Sequence, residues 1–128
     1  LQRGLQIRPL HDPQLAVRDA LNRDRRLRGL PVLTIQRDAQ AKAQAWAQRL
    51  AADGYLHHSH LPDGIGSRWC SLGENIGYGG GINSLETAYM RSPRHRVNIL
   101  GTRWNGVGVG YAERGGRIYT VQVFIQTC

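Results

Sequence analysis

A five-residue alternation near the C-terminus, Gly106-Val107-Gly108-Val109-Gly110, constrains this chain more than any other stretch. Strand side chains point to opposite faces in turn, so Val107, Val109 and Tyr111 share one face and three glycines leave the other bare. A bare face admits another backbone or a helix at close range. The run Ile118 to Gln126 carries Tyr119, Val121, Val123 and Ile125 at the same period of two, and the turn residues Glu113 to Gly116 lie between. Together they predict an antiparallel hairpin.

Helical signals fill much of the remainder. Ala39, Ala43, Trp46 and Leu50 recur at four, three and four residues, so they share one helix face, and Gly54 ends the helix. Ala41, Ala45, Ala47, Ala51 and Ala52 add helix propensity and permit close approach to a sheet; Trp46 belongs to the core. Asp12 and Pro13 read as an N-cap and first helical position. A helix is expected from there to about Arg28, burying Leu15, Ala20, Leu21 and Leu27, with Gly29 closing it. Leu30 to Leu33 follow as an extended connection. Residues 55 to 71 have neither period and form a long irregular loop, the kind of segment that often carries function. A short strand is expected around Leu72 to Tyr78, interrupted by Glu74 and Asn75. After the glycines at 79, 80 and 81, Asn83 or Ser84 would cap a helix reaching about Arg91, with Leu85, Ala88 and Tyr89 on one face. Ser92 and Pro93 start a short helix through Leu100 that Gly101 ends.

At 128 residues the chain has the size of one domain. Residues 1–11 are expected to be an N-terminal arm and residues 12–128 the domain. With 41% hydrophobic and 20% charged residues, a folded core is expected rather than a disordered or fibrous chain. The formal net charge of +8 rests on sixteen Arg and the single Lys42, which favours anionic partners: phosphate backbones, acidic wall polymers or anionic lipid head groups. No base-reading module accompanies that charge, so specific nucleic-acid recognition is not expected. The run Arg23, Arg25, Arg26, Arg28 reads as complementing the dipole of the preceding helix. No stretch of 18 apolar residues exists to span a membrane. Cys70 and Cys128 form no C-x-x-C pair, which leaves two free thiols or, in an exported chain, one bridge pinning the last strand. The chain begins at Leu1, as expected after processing or removal of a signal peptide.

His57, His58 and His60 crowd the irregular loop, and His95 sits in the capped turn. Glu74 interrupts an otherwise apolar strand, and a buried carboxylate requires a partner. No nucleophile stands in a recognised elbow or triad setting.

The segment Gly73-Glu74-Asn75-Ile76, the Leu56-His57-His58-Ser59 stretch before it, and Ser92-Pro93-Arg94-His95-Arg96-Val97-Asn98-Ile99-Leu100 after it resemble the bacterial branch of the CAP superfamily. This group, also called SCP, includes cysteine-rich secretory proteins, insect antigen 5 and plant pathogenesis-related proteins. The resemblance runs over about residues 14–126 and takes in Asn22 with the Arg run, Gly29-Leu30-Pro31, the Ala/Trp helix and the Val107 to Gly110 strand. It implies an α+β fold, an α-β-α sandwich with a small antiparallel sheet between helical layers. It also implies a cleft built by two histidines and up to two acids, in a secreted or envelope-associated protein.

By position, His58 matches the loop histidine, with His57 as its competitor; Glu74 matches the acid of the Gly-Glu-Asn motif, Asn75 its neighbour, and His95 the last histidine. One departure matters: where many eukaryotic members carry a second Glu after the aromatic residue of the third helix, this chain has Ser92. Glu86 lies one turn earlier, off the spacing. His58 and His95 would hold zinc or another divalent ion at about 2.0–2.1 Å per nitrogen. Glu74 would orient an imidazole or serve as base on a metal-bound water. Three functions follow from the resemblance. One is capture of a lipid or cell-envelope component at His58, Glu74, Asn75 and His95. Another is metal-dependent hydrolysis with Glu74, His58 and His95 as catalytic residues. The last is an interaction domain with a vestigial cleft.

Overall fold

Close approach between the alanine helix and the glycine strand organises the computed structural model, which describes residues 9–128. The element order is α1 (Asp12–Arg26), β1 (Thr34–Ile35), α2 (Arg37–Asp53), β2 (Trp69–Gly79), α3 (Ile82–Arg91), α4 (Pro93–Ile99), β3 (Gly106–Arg114) and β4 (Arg117–Thr127). The sheet runs β1-β3-β4-β2. Most of residues 1–11, the expected N-terminal arm, lie outside the described residues; Leu10 packs against the core.

One layer is α2 on the sheet. Ala39, Ala43, Ala47 and Leu50 pack against Ile76, Val121, Val123 and Ile125. At Gly108 a Cβ would stand 2.0 Å from the Ala39 carbonyl oxygen, and at Gly110 one would stand 2.1 Å from that of Ala43. Backbone therefore rests on backbone, and only glycine fits. The second layer is α1, α3 and α4 on the opposite face, where Val17, Leu21, Tyr89 and Ile99 meet Val107, Val109 and Phe124. This is the expected α-β-α sandwich.

The sheet departs from the expectation at one edge, because β1 pairs parallel with β3 through Thr34↔Gly106 and Ile35↔Val107. Two residues are too short a run to show a strand period, and they lie in what reads as an extended connection. Beyond them β3 has no strand neighbour on that side among the described residues, and side chains of α2 take the place of one. Gln40 exchanges both hydrogen bonds with Val109 (2.7 and 2.8 Å), and Gln44 does the same with Tyr111 (2.9 Å each). Backbone groups that would otherwise be orphaned are thus paired.

The β3–β4 hairpin closes through Gly115 and Gly116, both with positive φ (59° and 76°), as a two-residue turn of this hand requires. β2 is longer than expected, running antiparallel to β4 over Trp69–Gly79 with Glu74 and Asn75 inside it. Cys70 and Cys128 form a disulfide that ties the start of β2 to the end of β4.

Several boundaries move for local reasons. His11, not Asp12, is the N-cap of α1, and its N–H donates to Gln14 Oε1 at 2.8 Å. The helix stops at Arg26, which leaves Leu27 73% exposed and Leu15 half-buried while Val17 takes the core position. In the Arg run, Arg25 departs from the dipole reading. It is buried, donating from Nε to Pro31 O and from Nη1 to Ile99 O and Gly101 O at 2.7–2.8 Å. Gly81 rather than Asn83 or Ser84 starts α3, and Ala88 faces solvent while Glu86 is buried.

Candidate functional site

β2 is an edge strand, and alternation along it sends consecutive residues to opposite faces. Glu74 points with Ile76 toward α2, whereas Asn75 points toward the layer of α3 and α4. The two halves of the candidate cleft therefore come from opposite sides of one strand edge.

On the first side, the buried Glu74 carboxylate (side chain 2% exposed) accepts three hydrogen bonds from the loop. His58 Nδ1 lies 2.8 Å from Oε1, the Ser59 N–H donates to Oε1 at 3.0 Å, and Ser59 Oγ donates to Oε2 at 2.6 Å. Glu74 answers its need for a partner by clamping this loop. With Nδ1 turned to the acid, His58 directs its other nitrogen outward, and its side chain is 64% exposed.

The competitor His57 turns the other way. Its Nε2 lies 2.8 Å from Asp53 Oδ2, and its ring sits 4.9 Å from both Trp46 and Tyr55. The His57 bond, ahead of Arg49, holds the Asp53 carboxyl below its ordinary range. Further along, Lys42 donates to the carbonyls of His60 (2.9 Å) and Asp63 (2.8 Å), and Asp38 accepts from Gly66 and Ser67. Partial burial lowers the Lys42 pKa, while the charges of Glu74 and Asp63 oppose that shift. The long loop is irregular but fastened at each of these points.

On the other side, His95 Nδ1 lies 2.7 Å from Ser92 Oγ, and the ring stacks on Tyr89 with centroids 5.1 Å apart and planes 24° from parallel. Ser92, standing where the second acid would be, holds the imidazole through a neutral contact. Burial is the main reason the His95 pKa falls below its usual value; the Ile76 backbone opposes this, and the charges of His58 and Arg94 add to it. The ring is therefore neutral at pH 7. The charge of His58 reaches His95 from the other side of the β2 edge.

Beneath the cleft lies a buried layer of amides. Asn75 is 0% exposed; its Nδ2 donates to His95 O (3.1 Å) and Gln122 Oε1 (3.0 Å), and its Oδ1 accepts from Asn98 Nδ2 (2.9 Å). Asn75 thus sits under the His95 backbone, with its polar atoms engaged within the protein. Glu86 does not join the histidines: its Oε1 accepts from Gln122 Nε2 at 2.9 Å, and the charged groups that act on it, Asp24 and Arg23, are on α1. Sequence alone does not single out Ser59, Asn98 or Gln122. Ser59 and Asn98 lie within the motifs that do stand out, whereas Gln122 is marked only as a polar residue in an apolar strand.

A resident zinc ion calls for four donors. The cleft offers two imidazoles, Glu74 is occupied by the loop, and among the described residues no group of three or more His, Cys, Asp or Glu side chains could hold a metal. These residues do not fit a resident metal.

An α-β-α sandwich whose edge strand carries a Gly-Glu-Asn segment, its acid clamping a loop histidine while a second histidine is held by Ser92 on the other side, defines the class of small domain to which the chain conforms. The chain belongs to the cysteine-rich secretory protein (CAP) family, whose profile matches residues 18–128. It is 32% identical over 110 residues to the uncharacterized protein YkwD of Bacillus subtilis, covering 79% of this chain and 42% of that relative. The chain thus spans less than half of that protein's length. Among solved structures, it resembles an outer surface protein of Borrelia burgdorferi (TM-score 0.79, 16% identity, 92% of this chain and 97% of that one). It also resembles an extracellular protein of Bacillus anthracis that contains an SCP domain (TM-score 0.76, 23% identity, 94% of this chain and 45% of that one). Both likenesses bear on the fold.

Proposed function

We propose that this chain is an extracytoplasmic binding domain that uses its histidine cleft to hold a polar, anionic group of a cell-envelope component and carries out no reaction on it. The observation that carries this reading is the engagement of Glu74: buried, and holding three of its roughly four acceptor positions on His58 and Ser59, it serves as a clamp on the loop. The outward nitrogen of His58 and the ring of His95 then face solvent as recognition groups. An open groove lined by Ser84, Thr87, Ala88, Arg91 and Ser92 leads along α3 to the serine that holds His95. Hydroxyls and an arginine suit an anionic polymer better than an acyl chain. The net charge of +8 favours the same class of ligand. A disulfide between Cys70 and Cys128 agrees with an oxidising compartment, as do the extracellular and outer-surface names of the structural relatives.

The test is titration with an anionic wall polymer, followed by calorimetry, for wild type and for His58→Ala, His95→Ala and Glu74→Gln. Saturable binding weakened at least tenfold by either histidine change supports the cleft; unchanged binding in both moves recognition elsewhere. A parallel assay with a peptide and ester library, with and without added zinc, examines the hydrolytic alternative. Turnover that disappears in Glu74→Gln would refute the binding-only reading.

A further inference from the structure

Glu86 is 2% exposed, and its Oε2 meets no hydrogen-bond donor among the described residues. The group beside it is the carboxyl of Asp24, whose side chain is 15% exposed. Two ionised carboxylates cannot face one another in such a place without large repulsion, and an orphaned buried oxygen is itself costly. One proton between them removes both costs, since it turns Oε2 into a donor toward Asp24.

The charged and titratable groups around Glu86 are few. From α1 come Asp24 and, at longer range, Arg23; just past α1, Arg28 Nη1 stands 3.9 Å from Asp24 Oδ1 on the exposed side; from α3 itself comes Tyr89; β4 contributes the neutral Gln122. Burial is the largest influence on Glu86, followed by Asp24, and they push its pKa up to about 8. The opposite face of the network runs to the cleft: Glu86 Oε1 accepts from Gln122 (2.9 Å), Gln122 accepts from Asn75 (3.0 Å), and Asn75 donates to the His95 carbonyl (3.1 Å).

We propose that Glu86 and Asp24 share one proton in the folded protein, forming an alkali-sensitive latch that binds α1 to α3 and, through Gln122 and Asn75, steadies the His95 wall of the cleft. Loss of the proton places two adjacent negative charges between α1 and α3. The strain falls on the amide chain that ends at His95.

The sign of the effect is fixed by linkage. Between the ordinary carboxylate value of 4.5 and about 8, the folded protein keeps a proton that the unfolded chain has released. Stability conferred by the latch is therefore whole below 4.5, declines as pH rises through that window, and levels off above it. The folding constant loses up to about tenfold per pH unit.

The experiment is carbon NMR titration of the Glu86 carboxyl in wild type and Asp24→Asn, with urea unfolding and His95 ring spectra from pH 5 to 9.5 for wild type and Glu86→Gln. The expected results are a wild-type midpoint well above neutral, a clear downward shift in Asp24→Asn, an unfolding profile flattened in Glu86→Gln, and alkaline perturbation of His95 in wild type only. A Glu86 midpoint near 4.5, or one unmoved by Asp24→Asn, overturns the shared proton. Identical His95 spectra above pH 8 in wild type and Glu86→Gln overturn the connection to the cleft. The wild-type titration locates the proton even where a substitution prevents folding.

Discussion

Adding one methyl group at residue 108 tests the packing on which the whole sandwich depends. In Gly108→Ala the new Cβ would lie 2.0 Å from the Ala39 carbonyl oxygen and 2.4 Å from the Gln40 nitrogen, against ordinary contact beginning near 3.4 Å. The obstacles are helix backbone, which cannot rotate aside as a side chain can, so α2 must retreat by about 1.4 Å at its point of closest approach. Retreat stretches the paired Gln40–Val109 hydrogen bonds, now 2.7 and 2.8 Å. It also opens space beneath Ala39, Ala43 and Ala47, all fully buried. Overpacking of this kind costs about 1–3 kcal/mol. Two weakened buried hydrogen bonds add about 1 kcal/mol each. A loss of about 3–5 kcal/mol is a large part of the stability of an ordinary domain. Urea denaturation measures it, with a midpoint shift of about 2 M expected for a domain of this size. Gly80→Ala, where an added Cβ meets nothing within 4 Å, is the control and should stay within about 0.5 kcal/mol. If Gly108→Ala loses less than about 1 kcal/mol, α2 does not rest on β3 through backbone contact and the reasoning fails.

Reducing the Cys70–Cys128 bridge, or replacing both cysteines by Ser, releases a loop of 58 residues and should cost about 4 kcal/mol by chain entropy, read as a lower urea midpoint in dithiothreitol. Arg25→Met leaves the carbonyls of Pro31, Ile99 and Gly101 without their donor inside the core, with an expected loss of about 3 kcal/mol by thermal or chemical melting. His95 titrates below its usual value in the folded protein, so the unfolded chain takes up its proton first as pH falls through 6.5. Stability from His95 is present above 6.5 and lost on acidification toward the lower folded pKa; the difference in melting between wild type and His95→Gln should shrink over that interval. Ser92→Glu, which places an acid beside His95 Nδ1, should raise the His95 pKa measured by proton NMR, and an unchanged value would show that residue 92 does not govern the ring.

What the sequence made legible is what its periodicity encodes. The period of two in β3 and β4 and the apolar stripe of α2 are readable because each repeats over several residues, and the fold follows from seating one on the other. Elements without repetition stay hidden. β1 has two residues, and the edge of β3 beyond it is completed by Gln40 and Gln44, whose amides look in sequence like ordinary polar positions on a helix. Arg25 is indistinguishable from its neighbours in a basic run until the fold brings three carbonyls around it.

The cleft shows the same division more sharply. His58, Glu74 and His95 stand out because an acid in an apolar strand and clustered histidines are unusual, and the motif spacing assigns each a place. The role of Glu74 depends on Ser59, an ordinary loop residue whose N–H and hydroxyl both point at the carboxylate. That occupancy makes Glu74 a clamp on the loop, and only geometry could supply it. Buried polarity follows a different logic from the motif: Asn75, Gln122 and Glu86 form a chain of hydrogen bonds running away from the histidines toward α1. Ser92 thus stands beside His95 without a charge, and the carboxyl one turn earlier, Glu86, is buried on the side facing α1. On the proposed reading, solvent-facing His58 and His95 present themselves on a cationic surface while the Glu74 carboxylate is turned into the loop it clamps, so the acid nearest the histidines is held by the protein itself.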